Sequence, residues 1–309
     1  MKLFRSRMRQ RATTGVHITG EVMAIATVEH EPGRKPRLIQ ASSHDLSTPS
    51  DSSRADSARV LRETLKSGRT PVSLVLDNEH YDLLLVEAPR VEPSELRAAV
   101  RWKVKSLIDF HIDDAVIDVF EIPGQKNRPQ GQSMMYAIAA RARKIREYVD
   151  LFENADLNLQ VIDVADMALR NLAAQLEDDV RGVAMLHLER THGVITITRQ
   201  GSLYLSRRLE TGHETIEQGG ADQLILEVQR SLDYYDSHFA QPPVGSLCLL
   251  PGFFGRDDLL AALSDGLDMN VTPFDAATIL DCNVQLPEQH LNEVLVAVGG
   301  ALRREEISL

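Results

Sequence analysis

Three histidines are the first candidates for chemistry in this sequence. His17 lies in a β-rich segment near the start of the chain, and His187 and His192 lie in a second such segment. Imidazole nitrogens bind Zn²⁺ and related ions, and a metal-binding helix usually supplies two of them four residues apart. No such pair accompanies these histidines. We therefore interpret them as packed or solvated side chains, and we predict no metal site.

Two aspartates three residues apart are the next candidates, for acid–base work. Asp163 ends a predicted strand and Asp166 opens a predicted helix. Paired carboxylates act as general acid and base in many enzymes. A carboxylate in the first turn of a helix also stabilises the free N–H groups there, and we favour this role for Asp166. The sequence has no GxSxG, HExxH, Walker or GxGxxG motif, so we predict no catalytic residues.

The same order of elements occurs twice along the chain, and it would position these side chains. Residues 15–29 are predicted to form two strands, and 37–42 a third. A second three-strand meander is predicted over 182–188, 194–199 and 203–209. Each meander is followed by alternating helices and strands. This order predicts an α/β protein with mixed sheets in two related halves, which fits a duplicated ribonuclease-H-like architecture of the actin-like kind.

Hydrophobic periodicity and turn residues place the remaining elements. Helices are predicted at 58–66, 93–107, 145–154, 165–176, 221–239, 257–263 and 291–304. Further strands are predicted at 71–77, 83–88, 116–122, 134–140, 160–164, 247–250 and 270–273.

Composition restricts the classes of function. The chain has 309 residues, which suggests about two domains. Its net charge of −11 argues against nucleic acid, whose binding depends on Lys and Arg. The sequence has two cysteines, Cys248 and Cys282, which lack CxxC spacing. We interpret them as free thiols of a protein from a reducing compartment. The sequence contains neither a signal peptide nor an apolar run of about 18 residues, so we expect a cytoplasmic protein.

The first eleven residues depart from the acidic average. Residues 1–11 contain five basic side chains and no acidic one. Such a segment can make weak contact with an anionic membrane surface, where each basic residue contributes up to about 1 kcal/mol. The alternative, which we favour, is a solvated tail, because a short segment without a lipid anchor binds weakly.

Four segments, taken in order, resemble one known family. Residues 89–103 read PRVEPSELRAAVRWK, and 108–118 continue with IDFHIDDAVID. Residues 143–164 end in VIDV, and 226–235 read LEVQRSLDYY. In this order the segments resemble the type IV pilus assembly PilM family. Among its members, the MSHA pilus biogenesis proteins called MshI are the nearest comparison.

The resemblance implies an actin-like, two-lobed fold. The first lobe would be 1–164 (actin-like 1A), with a small inserted subdomain at about 90–158. The second lobe would be 165–309 (actin-like 2A/2B), with the final helix 291–304 packing back on the first lobe. The resemblance also implies a cytoplasmic role, peripheral at the inner membrane. There PilM holds the N-terminal cytoplasmic tail of the bitopic membrane protein PilN and binds ATP between its lobes.

The implied nucleotide site departs from the family pattern in both phosphate hairpins. His17 and His187 stand where the family has an aspartate, which removes two expected Mg²⁺ ligands. Thr19, followed by Gly20, stands where a glycine is typical. Glu189, in the second hairpin with Thr191, also replaces a glycine and adds negative charge beside the expected phosphate.

The loop expected to hold adenosine is altered as well. Pro251, before Gly252, removes a backbone donor, and the stretch 208–223 is shorter than is typical of the family. We therefore predict a degenerate nucleotide cleft and a pseudo-ATPase scaffold without a cofactor, and we disfavour bound ATP and Mg²⁺. The alternative is an actin-fold ATPase that couples its nucleotide state to pilus assembly. Trp102, the only tryptophan, either packs the small subdomain or forms part of a partner surface.

Overall fold

The structure is a computed structural model that describes residues 12–46, 53–65, 69–125, 133–252, 256–287 and 289–304. The basic segment 1–11, interpreted as a solvated tail with membrane contact as the alternative, lies outside the described residues.

The described elements alternate along the chain as the sequence patterns predict. The strands are β1 (Ala12–Ile18), β2 (Val22–Glu29), β3 (Arg37–Asp45), β4 (Val72–Leu76), β5 (Tyr81–Glu87), β6 (Ala115–Glu121), β7 (Met134–Arg141), β8 (Leu159–Val164), β9 (Val183–Leu188), β10 (Gly193–Arg199), β11 (Ser202–Leu209), β12 (Ser246–Leu249), β13 (Val271–Pro273) and β14 (Asp281–Cys282). The α-helices are α1 (Ser53–Thr64), α2 (Leu96–Val104), α3 (Ala142–Asn154), α4 (Ala165–Ala173), α5 (His213–Glu217), α6 (Ala221–Phe239), α7 (Arg256–Leu267), α8 (Ala276–Ile279) and α9 (Leu291–Ala301).

Two larger sheets follow one plan. The first has the order β14-β3-β2-β1-β4-β8, and the second has the order β11-β10-β9-β12-β13. Each contains an antiparallel meander of three strands, extended by parallel strands. We call the elements around the first sheet the first lobe and those around the second sheet the second lobe. The prediction of mixed sheets in two related halves is confirmed.

Helix α9 packs in the core of the first lobe, against β1, β2, β4 and α4. It is apolar on all sides, and such a helix is stable only when it is surrounded by protein. Two glycines allow this close approach. A Cβ atom on Gly15 of β1 would lie 1.8 Å from the carbonyl oxygen of Ala297, and one on Gly299 would lie 2.3 Å from that of Ala168.

A third, small sheet has the order β5-β7-β6. Helix α2 covers one face of this sheet, where Val100 and Val104 are buried. The other face packs against the second lobe, where the hydroxyl oxygen of Tyr136 accepts a hydrogen bond from the backbone N–H of Ser206 at 2.9 Å. The small sheet therefore contacts both lobes.

Several element bounds differ from the prediction. The helix predicted at 93–107 begins as a 3₁₀ turn, because the N–H of Glu95 bonds to the carbonyl of Glu92, and α2 ends at Val104. The helix predicted at 165–176 ends at Ala173, and the one predicted at 257–263 extends to Leu267. The sequence analysis missed α5, α8 and β14, since elements of two to five residues carry no periodic signal.

Candidate functional site

A cleft of about 670 Å³ lies between the two lobes. It is lined by the ends of β1 and β4, by the turn between β9 and β10, and by the start of α9. Most residues of the predicted degenerate site line it, namely His17, Thr19, Gly20, His187, Glu189, Thr191 and Gly252. Pro251, the remaining one, is buried after β12 and is not part of the lining.

In the turn between β1 and β2, three backbone N–H groups are hydrogen-bonded within the turn itself. The N–H of Thr19 bonds to the carbonyl of Val22 at 2.9 Å. The hydroxyl oxygen of Thr19 accepts from the N–H groups of Val22 and Glu21, at 3.0 and 3.2 Å. A phosphate-binding turn needs N–H groups that point at the ligand. Here the threonine side chain takes up two of those groups.

The turn between β9 and β10 is held by hydrogen bonds between backbone groups. The N–H of Glu189 bonds to the carbonyl of His192 at 2.8 Å. The carbonyls of Glu189 and Arg190 accept from the backbone N–H groups of His213 and Glu214, at 2.9 and 3.0 Å. The start of α5 therefore packs against this turn and contributes His213 to the cleft.

Three of the histidines that line the cleft have a lowered pKa. Burial, together with the nearby His17, His213 and His192, lowers the pKa of His187 to about 3. Burial also lowers the pKa of His192 and that of His213. His17 is buried, and its Nδ1 lies 3.1 Å from the carbonyl oxygen of Val75. His187, His192 and His213 therefore add no positive charge to the cleft at neutral pH.

Acidic side chains outnumber basic ones in the cleft. Five acidic residues line it: Glu21, Asp77, Glu79, Glu189 and Glu293. Arg190 is the only Lys or Arg among the described lining residues, and it pairs with Glu214 at 2.9 Å. A polyanion such as a nucleotide phosphate would meet uncompensated negative charge here.

Glu189 reaches across the cleft. Its Oε1 accepts a hydrogen bond from the side-chain amide of Asn78 at 3.1 Å. Its Oε2 lies 3.4 Å from Nε2 of His192, and its Oε1 lies 4.0 Å from Nδ1 of His187. Burial, and next to it the charge of Asp77, raises the pKa of Glu189 to about 7.

The sequence analysis missed several residues of the cleft. These are Asp77, Glu79, His213, His290, Asn292 and Glu293. A sequence signal for Asp77 existed, because it directly follows β4, and the carboxyl ends of neighbouring parallel strands lie at one edge of a sheet. Asn292 has no such signal. It donates to the carbonyl of Leu188 at 3.0 Å only because α9 begins beside β9.

The lining offers little to a magnesium ion. Among the described residues, no group of three His, Cys, Asp or Glu side chains is arranged to hold a metal ion. Together with the occupied turn donors, this donor set does not fit a magnesium nucleotide, whose phosphates need N–H donors and whose metal needs oxygen ligands.

The paired aspartates lie outside the cleft lining and have separate partners. Asp163 forms a buried ion pair with Arg303 at 2.6 Å. Asp166 lies in the first turn of α4, but the cap residue of that helix is Val164. The Asp166 carboxyl group instead hydrogen-bonds to Tyr81 and to Ser206. Asp166 is therefore not the cap residue of α4, whereas its predicted place in the first turn of that helix is confirmed.

Replacing Glu189 by glutamine should stabilise the protein above neutral pH. Its pKa rises from 4.5 when unfolded to about 7 in the fold, so the folded state binds the extra proton between these values. Stability is then fully present below the unfolded pKa and falls as pH rises through the folded one. Glu189→Gln should remove this loss, which is up to about 3 kcal/mol. Urea unfolding across this pH range would measure it, and parallel pH profiles for the two proteins would contradict it.

Sequence and structure comparisons agree with this architecture. Residues 84–222 match the family model described as type IV pilus assembly protein PilM. This part of the chain is similar to PilM. The solved PilM–PilN type IV pilus biogenesis complex has the same fold, with a TM-score of 0.71 and 21% identity over 94% of this chain and 97% of that one.

Two further solved structures share the fold at 10% identity. One is a Bacteroides thetaiotaomicron protein with an actin-like ATPase fold and unknown function, with a TM-score of 0.54 over 94% of this chain and 96% of that one. The other is the cytoplasmic domain of EpsL, from the type II secretion system of Vibrio cholerae, with a TM-score of 0.51 over 95% and 96%. The predicted actin-like fold is confirmed.

No curated protein sequence matches the chain. Within the described residues, no helix combines the length and the apolar character that crossing a membrane requires.

Proposed function

We propose that this PilM-like chain is a scaffold of type IV pilus assembly, of the MSHA type. It binds the N-terminal cytoplasmic tail of a PilN-like bitopic inner-membrane protein, and works in the cytoplasm at the inner membrane. The observation that carries the proposal is the family match over residues 84–222, which include the small sheet and α2. The shared fold of the PilM–PilN complex supports it.

The cleft supports a pseudo-ATPase that works without bound nucleotide. The first turn uses three of its N–H groups internally, and the second turn uses that of Glu189. Acidic side chains dominate the lining, and Glu189 reaches across it to Asn78. Each feature weakens the binding of phosphate, and together they favour a scaffold over the alternative of an active ATPase.

Helix α2 and strand β6 are the proposed contact surface for the tail. The Trp102 side chain is 76% exposed, which contradicts its interpretation as a packing residue. Lys105 lies 5.7 Å from the centre of its ring. Strand β6 is an edge of the small sheet and exposes Val116. An edge strand can pair with an extended peptide, while an exposed tryptophan is a common anchor in interfaces.

Binding of labelled PilN-like tail peptides, measured by fluorescence anisotropy, tests the proposal. We expect saturable binding that Mg²⁺ and ATP do not change. Trp102→Ala should weaken it at least about tenfold, or ~1.4 kcal/mol. Leu226→Ala removes an exposed apolar side chain from the second lobe and should bind like the wild type.

Failure to bind any pilus or secretion tail would overturn the scaffold proposal. The nucleotide part has a separate test, because a fluorescent ATP analogue can be titrated with and without Mg²⁺. Metal-dependent binding with turnover would favour the alternative, an ATPase that couples its nucleotide state to pilus assembly.

A further inference from the structure

A hydrogen bond between two side chains joins the two lobes beside the cleft. Asn78 lies on the 3₁₀ turn that follows β4, in the first lobe. Glu189 lies on the turn between β9 and β10, in the second lobe. The side-chain amide of Asn78 donates to Oε1 of Glu189 at 3.1 Å. Because the Glu189 side chain is only 30% exposed, water competes weakly for this bond.

Only the amide of Asn78 makes this contact attractive. Its neighbours in the chain, Asp77 and Glu79, are both acidic and both line the cleft. Without the Asn78 amide, the Glu189 carboxyl group would be left with the charge of Asp77, which repels it. Like charges at short range in a partly buried site repel strongly. The bond therefore changes the interaction between these two turns from repulsion to attraction.

The Asn78 side chain is itself fixed by a second hydrogen bond. Its carbonyl oxygen accepts a hydrogen bond from the hydroxyl of Tyr81, the first residue of β5. The same hydroxyl contacts Asp166 of α4, whose other oxygen accepts from Ser206 of β11. The chain of hydrogen bonds thus runs from the cleft, past the start of the small sheet, to the second lobe. It orients the Asn78 amide toward Glu189.

The turn that carries Glu189 is held equally firmly. The N–H of Glu189 bonds to the carbonyl of His192. Nε2 of His192 lies 3.4 Å from Oε2 of the same glutamate. The backbone of His213 donates to its carbonyl at 2.9 Å. Both ends of the bridge are therefore preorganised, which reduces the entropy lost in forming it.

We propose that the Asn78–Glu189 bridge is a built-in latch, which holds the two lobes closed without a ligand between them. Ligand-driven domain closure normally places the bridging contacts on the ligand. Here the donor, Asn78, and the acceptor, Glu189, both belong to the chain, so closure is a property of the folded protein. The small sheet, tied to Asn78 through Tyr81, keeps one position relative to the cleft.

Distances between spin labels on the two lobes test the latch. We would place labels at Arg34→Cys and Leu226→Cys, both exposed positions, in a Cys282→Ser background that leaves only the buried Cys248. The wild type should give one narrow distance distribution. Asn78→Ala and Glu189→Ala should each broaden it and shift it to longer distances. The double variant should open no further than either single variant, because both break the same bond.

Two controls separate the latch from a general loss of charge or structure. Glu79→Ala removes a carboxyl group from the same turn and should leave the distribution narrow. Glu189→Gln retains the acceptor oxygen for Asn78 and should also remain narrow. If Asn78→Ala and Glu189→Ala give the wild-type distribution while remaining folded, the latch does not exist. Opening in Glu189→Gln as well would assign the effect to charge and overturn the hydrogen-bonded latch.

Discussion

Gly15→Ala should destabilise the protein by about 3 kcal/mol or more, the largest effect we expect from removing or adding a single methyl group. The new Cβ would lie 1.8 Å from the carbonyl oxygen of Ala297 and 2.7 Å from the backbone nitrogen of Ala301. Both contacts are with the backbone of α9, so no side-chain rotation relieves them. The helix would have to move away from β1, β2 and β4 together, and the core of the first lobe would open.

Gly20→Ala is the matched control for this substitution. Gly20 belongs to the same hairpin, but a Cβ atom there has no neighbour within 4 Å. Thermal unfolding should therefore show a large decrease in the melting temperature for Gly15→Ala and little change for Gly20→Ala. Equal melting temperatures would mean that α9 does not pack on β1 as described.

Asp166→Ala and Asp166→Asn should differ strongly in their effect on the free energy of unfolding. Asp166→Ala removes the partner of two buried hydroxyl groups, those of Tyr81 and Ser206, and should cost roughly 3 kcal/mol. Asp166→Asn should cost less than about 1 kcal/mol, or should stabilise the protein. The two variants differ because an ionised Asp166 leaves too few protons for the hydrogen bonds around Tyr81. Tyr81 has one hydroxyl proton but two acceptors, Asn78 and Asp166.

A protonated Asp166 satisfies this chain of hydrogen bonds. Its own O–H then donates to Tyr81, which is left free to donate to Asn78, while Ser206 donates to the other carboxyl oxygen. Asparagine reproduces this pattern, since its NH₂ donates and its oxygen accepts. Burial raises the pKa of Asp166, in agreement with the protonated form.

Urea unfolding at acidic and at alkaline pH measures the effect of Asp166. A carboxyl group with a raised pKa lowers stability as pH rises through that value, so Asp166→Asn should gain on the wild type at alkaline pH. A large loss of stability in Asp166→Asn at every pH would show that the ionised form is needed. The carboxyl group would then accept both hydroxyl protons, and Asn78 would lack its second partner.

Much of the fold could be predicted from local patterns. Alternating apolar residues and turn residues predicted the two meanders, because strand faces and tight turns depend on neighbouring residues. The helix at the end of the chain was likewise predicted, at 291–304, and α9 spans Leu291–Ala301. The resemblance, carried by residues 89–103, 108–118, 143–164 and 226–235, predicted the actin-like fold. The side chains of His17, Thr19, His187 and Glu189 all line one cleft.

The contents of the cleft required three-dimensional packing. Glu189 was expected to repel phosphate, yet its contact with Asn78 joins residues 111 positions apart. Asn292 and His290 enter the cleft only because α9 begins there, and β14 exists only because two residues pair with β3. Such contacts depend on how whole elements pack, and no local pattern specifies them. The residue types and the order of the elements are therefore readable along the chain, whereas the bridge, the buried carboxyl group of Asp166 and the close approach at Gly15 arise from packing between distant segments.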